Sequence, residues 1–354
     1  MYRLLRHIIF LLDPEKAHHV AMGLMSFLVR IPGIKFLLKK IHLAKRNEPF
    51  ELFGLTFKNR VGLGAGFDKD AKYLDVMEAM GFGHIEIGTV TPLPQAGNDK
   101  PRLFRLFKDR ALINRMGFNN EGADAIAERL KKYQQRDYIL GGNIGKNKIT
   151  PNDQAASDYL ICFKKLFDYV DYFTVNVSSP NTPNLRDLQD KEALSIILDT
   201  LQKENQSKTT PKPILLKIAP DMSFEQIDEI LSVISNYKID GIVATNTTIS
   251  REGLKTSEQE LQSIGAGGVS GKPLKEKSTA VVQYIYDKTN GTLPIIAVGG
   301  IMRKQDAIDK FKSGAELVQL YTGFIYRGPH LVRMINKIKL SNKINHTEAK
   351  EKHH

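Results

Sequence analysis

Tyr172-Phe173-Thr174-Val175-Asn176-Val177-Ser178-Ser179-Pro180-Asn181-Thr182-Pro183 changes character halfway along its length. The first half is apolar and β-branched apart from Asn176, the composition of a strand. The second half is hydroxyls and amides on a loop that two prolines stiffen. In α/β proteins, chemistry gathers at the carboxyl ends of strands. Any one of these residues alone reads best as part of a turn. The density of small hydrogen-bonding groups (Asn176, Ser178, Ser179, Asn181, Thr182) points instead to a site.

The same strand-then-polar pattern recurs on both sides. Short apolar runs occupy residues 61–65, 84–88, 139–144, 172–177, 213–218, 241–245, 294–298 and 317–321, and helical patterns separate them. One such helix opens with a capping box, Ser223 to Gln226, and buries Ile227, Ile230, Leu231 and Ile234 on one face. Another runs over Asp306–Phe311 and is stopped by Ser313-Gly314. Eight βα units over roughly 280 residues predict a (β/α)8 TIM barrel. A doubly wound open sheet is the alternative. Residues 50–57 read as an extra hairpin that plugs the bottom of the barrel.

Polar residues and glycines collect at the strand ends. The first strand runs into GAGFDKD (64–70), and the sixth ends in Thr245-Asn246-Thr247. Lys217 stands inside an apolar strand, which is costly unless a negative group meets it, so it is a functional candidate with a structural ion pair as the alternative. Gly62-Leu63-Gly64-Ala65-Gly66 resembles a dinucleotide fingerprint, but Phe67 stands where the third glycine belongs. Glu86 is at about the right distance to be the ribose acid, yet no open-sheet pattern supports that reading. Gly299-Gly300 after strand seven and Thr322-Gly323 after strand eight suit a barrel phosphate site, over which Gly271 could close. This combination favours a phosphate-bearing cofactor.

Composition removes several classes. At 354 residues with 42% apolar content, the chain has ample material for a core. Its one cysteine, Cys162, excludes a disulfide framework and reads as helix packing. The nine histidines show no ligand spacing, so no metal is expected. The formal charge is +12, but no nucleic-acid signature accompanies it. Residues 1–46 carry nine basic and two acidic side chains. Their apolar runs are too short to span a bilayer and lack a signal-peptide cleavage site. Two short amphipathic helices with basic flanks remain. They suit either a membrane interface or a plain hairpin docked on the barrel.

These segments together resemble dihydroorotate dehydrogenase, in its membrane-associated, quinone-reducing class. The motifs are GAGFDKD (64–70), EIGTVTPLPQAGNDKPRLFRL (86–106), INRMGFNN (113–120), NIGKNK (143–148), NVSSPNTP (176–183), KIAPD (217–221), ATNTT (244–248), GGVSGKPL (267–274), AVGGI (297–301) and YTGFIYRGP (321–329). They cover the chain from His18 to Pro329. One departure is Asn184, where the family usually has glycine; Asn tolerates the left-handed backbone best after Gly.

The resemblance implies oxidation of (S)-dihydroorotate to orotate in pyrimidine biosynthesis, with FMN as cofactor and a membrane quinone as acceptor. It implies Ser179 as the base. The flavin would be held by Ala65, Gly66, Phe67, Asp68, Lys69, Thr89, Asn143, Asn176, Lys217 and Thr245, with Gly271, Gly300, Tyr321 and Thr322 at its phosphate end. Substrate would meet Lys69, Asn114, Arg115, Met116, Gly117, Phe118, Asn176, Asn181, Asn246 and Thr247. His18, Arg105 and Tyr321 match positions near the family's quinone tunnel. Residues 1–46 would be the membrane and quinone-access segment, 47–340 the barrel and 341–354 a polar tail. The expected location is peripheral, on the cytoplasmic face of the cell membrane, with anionic lipid as a partner. Two other readings stay open. A flavin barrel reducing uridine in transfer RNA would need an acid cysteine on a barrel loop. A non-enzymatic membrane module would not explain the polar strand ends.

Overall fold

The computed structural model describes residues 2–42 and 49–339. The expected boundary at 46/47 and the tail 341–354 lie outside the described residues. Three helices come first: α1 (Tyr2–Ile9), α2 (Pro14–Arg30) and α3 (Ile34–His42). The sequence reading expected two; the Pro32-Gly33 break is followed by a third. A hairpin follows, β1 (Phe50–Leu52) and β2 (Leu55–Phe57).

Eight parallel strands then close a barrel: β3 (Val61–Leu63), β4 (His84–Val90), β7 (Ile139–Ile144), β8 (Tyr172–Asn176), β9 (Ile214–Ile218), β10 (Gly241–Ala244), β12 (Ile295–Val298) and β13 (Leu317–Leu320). Pairing of Val318 with Val61 joins last strand to first and excludes the open sheet. The observed strands match the sequence-predicted runs to within two residues at each end. Around them lie α4 (Leu74–Ala79), α5 (Ala123–Leu130), α6 (Ala155–Leu166), α7 (Lys191–Gln206), α8 (Phe224–Asn236), α9 (Glu258–Ile264), α10 (Lys275–Lys288), α11 (Lys304–Lys312), α12 (Thr322–Arg327) and α13 (Pro329–Ile335). Ser223 and Gln226 form the expected capping box on α8.

Both faces of the barrel strands are buried, which is why they read as near-continuous apolar runs. The hairpin closes the amino-terminal end. Phe57 packs on Tyr172, Leu215, Val243, Ile296 and Leu317, the lowest layer of the bore. A second, antiparallel sheet was not expected: β5 (Leu103–Leu106), β6 (Ala111–Asn114) and β11 (Gly268–Gly271) pair in the order β11-β6-β5 over the carboxyl end of the barrel. Two long connections, each leaving a barrel strand, are thereby tied together.

The N-terminal helices dock on one side. Asp13 caps α2 by accepting from the Glu15 and Lys16 amides, and Pro14 fits at the first helical turn. Lys35 of α3 pairs with Asp75 at 2.5 Å and Glu78 at 2.8 Å, both on α4. Leu11, Phe27 and Phe36 are 86%, 64% and 72% exposed, and Ile8, Val20, Leu24 and Leu37 are also exposed. Apolar side chains of this size left to water on three successive helices form a patch, not a scatter. Among the described residues no single helix is long and apolar enough to cross a membrane; α2 and α3 meet at a bend of 111°.

Candidate active site

A polar column rises through the bore above the apolar bottom layer. Its base is Glu86 of β4, fully buried. Glu86 accepts from Asn143 Nδ2 at 2.8 Å, Gln319 Nε2 at 2.8 Å, Tyr172 Oη at 3.1 Å and Thr174 Oγ1 at 3.2 Å. Four donors from three strands satisfy the carboxylate and fix it. Asn143 Oδ1 then accepts from Thr89 Oγ1 at 2.6 Å and Asn176 Nδ2 at 3.2 Å. Asn176 Oδ1 in turn accepts from Ser178 Oγ at 3.1 Å and Asn246 Nδ2 at 3.3 Å. The column thus sets amide orientations from the bore up to the strand ends.

Lys217 stands opposite Asn176 in the β8–β9 register. Its ammonium makes no hydrogen bond among the described residues. Burial pushes its pKa down, and the Glu86 charge opposes that shift. The negative group that the sequence reading demanded is therefore Glu86, but as a charge nearby and not as a bonded partner. A buried ammonium left with free donors is arranged for something that is not protein.

The column opens into a cleft at the carboxyl ends of the strands. Ala65, Gly66 and Lys69 line one side and Thr89, Asn176, Lys217, Thr245, Asn246 and Thr247 the floor. Asn114, Met116, Gly117 and Phe118 reach in beneath the antiparallel sheet. Gly271, Gly300, Tyr321 and Thr322 form the far end. Lys69 donates to Gly66 O at 2.9 Å, and burial lowers its pKa to about 8.

The two serines differ in direction. Ser179 lines the cleft, and its Oγ accepts from the Asn181 amide at 3.2 Å. Ser178 is fully buried, and its Oγ binds Asn176 Oδ1 and Asn246 Nδ2 at 3.1 and 3.0 Å. Alternation along an extended segment separates them. Asn181 Nδ2 donates to Asn114 Oδ1 at 2.9 Å, which ties the serine loop to β6. Beyond the second proline, Asn184 takes φ 56°, the left-handed turn expected where the family has glycine. Arg186 follows. Its guanidinium donates to Ser178 O at 3.2 Å, Thr247 O at 2.9 Å and Asp221 Oδ2 at 3.0 Å. Three strand-end loops are joined by this one side chain, which sequence reading passed over.

Four of the implied site residues do not line the cleft. Asp68 is buried, accepts from the Lys72 and Tyr73 amides at 2.7 and 2.8 Å, and is pushed up to about 6 by burial; it holds the turn. Phe67 points outward against His18, Tyr321 and Phe324. Arg115 donates to Ile264 O and Ala266 O and lies over the Phe104 ring, so its charge braces the outer loop. Asn143 lies behind Thr89 in the column. Cys162 is buried on α6 with Sγ 3.5 Å from Val90 O, away from the cleft.

A second cavity of about 680 Å³ lies between α1–α3 and the barrel. Its walls are mainly apolar, among them Leu24, Met25, Leu28, Leu38 and Phe324. His18, Arg105 and Tyr321 all line it. Burial pushes His18 down to about 3, so the ring is neutral at pH 7. Arg105 donates to Phe10 O at 3.2 Å and Leu12 O at 2.8 Å, which pins the α1–α2 turn. Gly66, Lys69, Met116 and Tyr321 line both cavities, so one turn and one ring separate them.

Comparison with known proteins is consistent along the whole chain. Residues 49–343 match the family model described as dihydroorotate dehydrogenase. A dihydroorotate dehydrogenase (quinone) from Christiangramia forsetii is 55% identical over 339 residues, covering 95% of this chain and 98% of the relative. Another of that name from Shewanella sediminis is 48% identical over 94% of this chain and 97% of its own. Among solved structures, a DHODH from Eimeria tenella in complex with ferulenol superposes with a TM-score of 0.80 at 38% identity, covering 92% of this chain and 90% of that one.

Proposed function

This chain belongs to the dihydroorotate dehydrogenase family, in its quinone-dependent class, and from that premise we propose a division of labour between its two cavities. The enzyme oxidises dihydroorotate to orotate in pyrimidine biosynthesis and delivers the electrons to a quinone. Enzymes of this type are flavoproteins. The polar cleft is the place of substrate oxidation and the apolar cavity the route of the quinone. The observation that carries this reading is the shared wall: a residue such as Tyr321 faces both spaces.

The cofactor in this reading is FMN. The residues fit it on three counts. Lys217 offers a buried, unbonded ammonium to an electron-rich ring. Gln319 Oε1 and Thr247 Oγ1, both on the cleft, are buried without a partner among the described residues. The start of α12 has no side-chain cap among the described residues, and Gly300 lines the cleft, so backbone amides there could meet a phosphate. When bound, the flavin accepts the hydride and passes electrons on. Ala65, Gly66, Thr89, Asn176, Lys217 and Thr245 would hold its ring, and Gly271, Gly300 and Thr322 its phosphate end.

Within the chain, Ser179 Oγ takes the proton from substrate C5 as the hydride leaves C6. The Asn181 amide fixes the direction of that oxygen, and the serine's own hydroxyl proton leaves for solvent as the C5 proton arrives. Lys69 offers a cation to the substrate carboxylate, while Asn114, Asn181, Asn246 and the Asn176 column meet its amide edges. A serine is a weak base, so it works only in a closed, dry site. The proline-stiffened loop and the antiparallel sheet above it supply the closure. The exposed apolar patch on α1–α3, with its basic neighbours, lies on a membrane surface, from which an apolar quinone enters the second cavity. The location on the cytoplasmic face and the preference for anionic lipid are parts of this reading.

The test is an anaerobic absorbance spectrum of the purified protein before and after dihydroorotate. The oxidised flavin band should bleach with one equivalent of substrate, and acid should release FMN. Release of FAD, of no flavin, or a band untouched by dihydroorotate would overturn the reading.

A further inference from the structure

Lys310 is a buried charge that the mechanism above leaves unused. It lies on α11 and is fully buried. Its Nζ donates to Ser278 Oγ at 2.5 Å and, more weakly, to Lys275 O at 3.4 Å. No carboxylate bonds it. The nearby carboxylates are engaged elsewhere: Asp306 accepts from the Met302 and Arg303 amides at 2.9 Å each, and Asp309 pairs with Lys275 at 2.9 Å. An ammonium at this depth with only neutral acceptors is expensive, and burial pushes its pKa down to about 7. Glu276, Asp306 and Asp309 offset part of that cost through space, but none bonds the ammonium among the described residues, and a further anion would offset more.

The hydrogen-bond path shows where that anion belongs. Ser278 Oγ, having accepted from Lys310, donates to Gly299 O at 3.0 Å; Lys275 O, at 3.2 Å, is the more distant acceptor. The Gly299 carbonyl and the Gly300 N–H belong to one planar trans peptide, so they point in opposite directions. Fixing the carbonyl toward Ser278 turns the Gly300 N–H away from it, and Gly300 lines the cleft. The peptide cannot drift. Gly300 has φ 75°, and a Cβ there would meet Lys275 Cα at 2.2 Å. A cation feeding a hydroxyl that feeds a carbonyl also polarises the peptide, making its N–H a better donor.

We propose that Lys310, acting through Ser278, aims and polarises the Gly299–Gly300 peptide toward the cofactor phosphate and so sets the enzyme's preference for a phosphorylated flavin. Lys310 is a positioning residue; it touches neither substrate nor flavin. The proposal rests on the FMN reading and adds to it the residues that discriminate FMN from riboflavin, which lacks the phosphate.

The experiment uses holoenzyme of the wild type, Lys310→Met and Ser278→Ala. Each is equilibrated with rising riboflavin, free flavin is removed on a sizing column, and the bound FMN-to-riboflavin ratio is measured by chromatography. The ratio is internal to the folded, flavin-loaded fraction, so partial misfolding of a variant does not move it. Wild type should prefer FMN strongly. Lys310→Met should lower that preference roughly tenfold or more, the weight of a hydrogen bond to a charged group, and Ser278→Ala should lower it in the same sense. An unchanged ratio in both variants overturns the proposal, as does weaker binding of the two flavins alike. If wild type itself shows no preference for FMN, the phosphate reading of the far end fails first.

Discussion

Replacing Ser179 and Ser178 in turn tests the mechanism, because the structure assigns their hydroxyls different jobs. Ser179→Ala removes the only cleft-facing hydroxyl of this pair and should slow flavin reduction by roughly 10²–10⁴, the usual weight of a positioned base. Ser178→Ala removes a fully buried oxygen with two neutral partners, Asn176 Oδ1 and Asn246 Nδ2. Asn246 Nδ2 keeps its contact to Asn176 Oδ1 at 3.3 Å, so it is not stranded. Each neutral bond is worth about 0.5–1.5 kcal/mol net, which limits the slowing to about 2- to 12-fold per bond even if all of it is felt in the transition state. Anaerobic stopped-flow reduction at saturating dihydroorotate reads both. Ser179→Cys adds a check: a thiol has pKa ~8.5, so the variant should recover part of the rate and shift its pH profile to lower pH. Equal losses at the two serines, or a larger loss at Ser178, would refute the assignment of the base.

Five further outcomes are expected. Lys217→Ala should slow flavin reduction or weaken flavin retention, measured by stopped flow and by released fluorescence, since the ring loses its buried cation. Lys69 has a folded pKa of about 8, below its ordinary value, so the free enzyme loses this cation as pH rises through about 8; KM for dihydroorotate should climb there, and Lys69→Met should abolish the inflection. From about pH 8 to 10.5 the unfolded chain binds the extra proton, so the Lys69 contribution to stability should rise across that window in denaturant titrations. Arg186→Ala should cost roughly 1–3 kcal/mol in urea unfolding and raise KM, because two loop carbonyls lose their donor while Asp221 keeps Lys277 at 2.7 Å and the Ile249 amide at 3.0 Å. Deleting residues 1–46 should abolish vesicle binding and long-chain quinone reduction but leave dihydroorotate-driven bleaching, measured in parallel on one preparation; quinone reduction at full rate would make the extension merely structural.

The barrel was legible because its strands are buried on both faces and separated by helical patterns, two local signals. Strand ends were less so: the run expected at 61–65 stops at Leu63, because its chain leaves the ladder to form the Gly64–Gly66 turn. The antiparallel sheet was invisible for a different reason. Its strands are four residues each, and β11 pairs with β6 from more than 150 positions away. Most residues that the family motifs singled out line the cleft. Those that act through others were not. Glu86 drew notice only as a possible ribose acid, and Lys310 and Arg186 drew none. Their meaning lies in partners on other βα units, which no local window contains. Phe67 and Asp68 show the converse: a motif can include residues that hold the turn but do not face the site.

The apolar cavity joins parts of the chain that are made at opposite times. Its outer wall is α1–α3; its inner wall includes Tyr321, Phe324 and Ile325. The Tyr2 hydroxyl bonds Ile325 O at 2.5 Å and Arg6 bonds Tyr326 O at 2.8 Å, contacts spanning 323 and 320 residues. Such contacts form only after the loop between them has closed, which is slow and entropically costly. During synthesis the apolar helices therefore leave the ribosome long before the surface that will cover their inner faces exists. For that interval a bilayer or a chaperone is the available shelter. Closure of the cavity by these contacts is thus among the last events of folding.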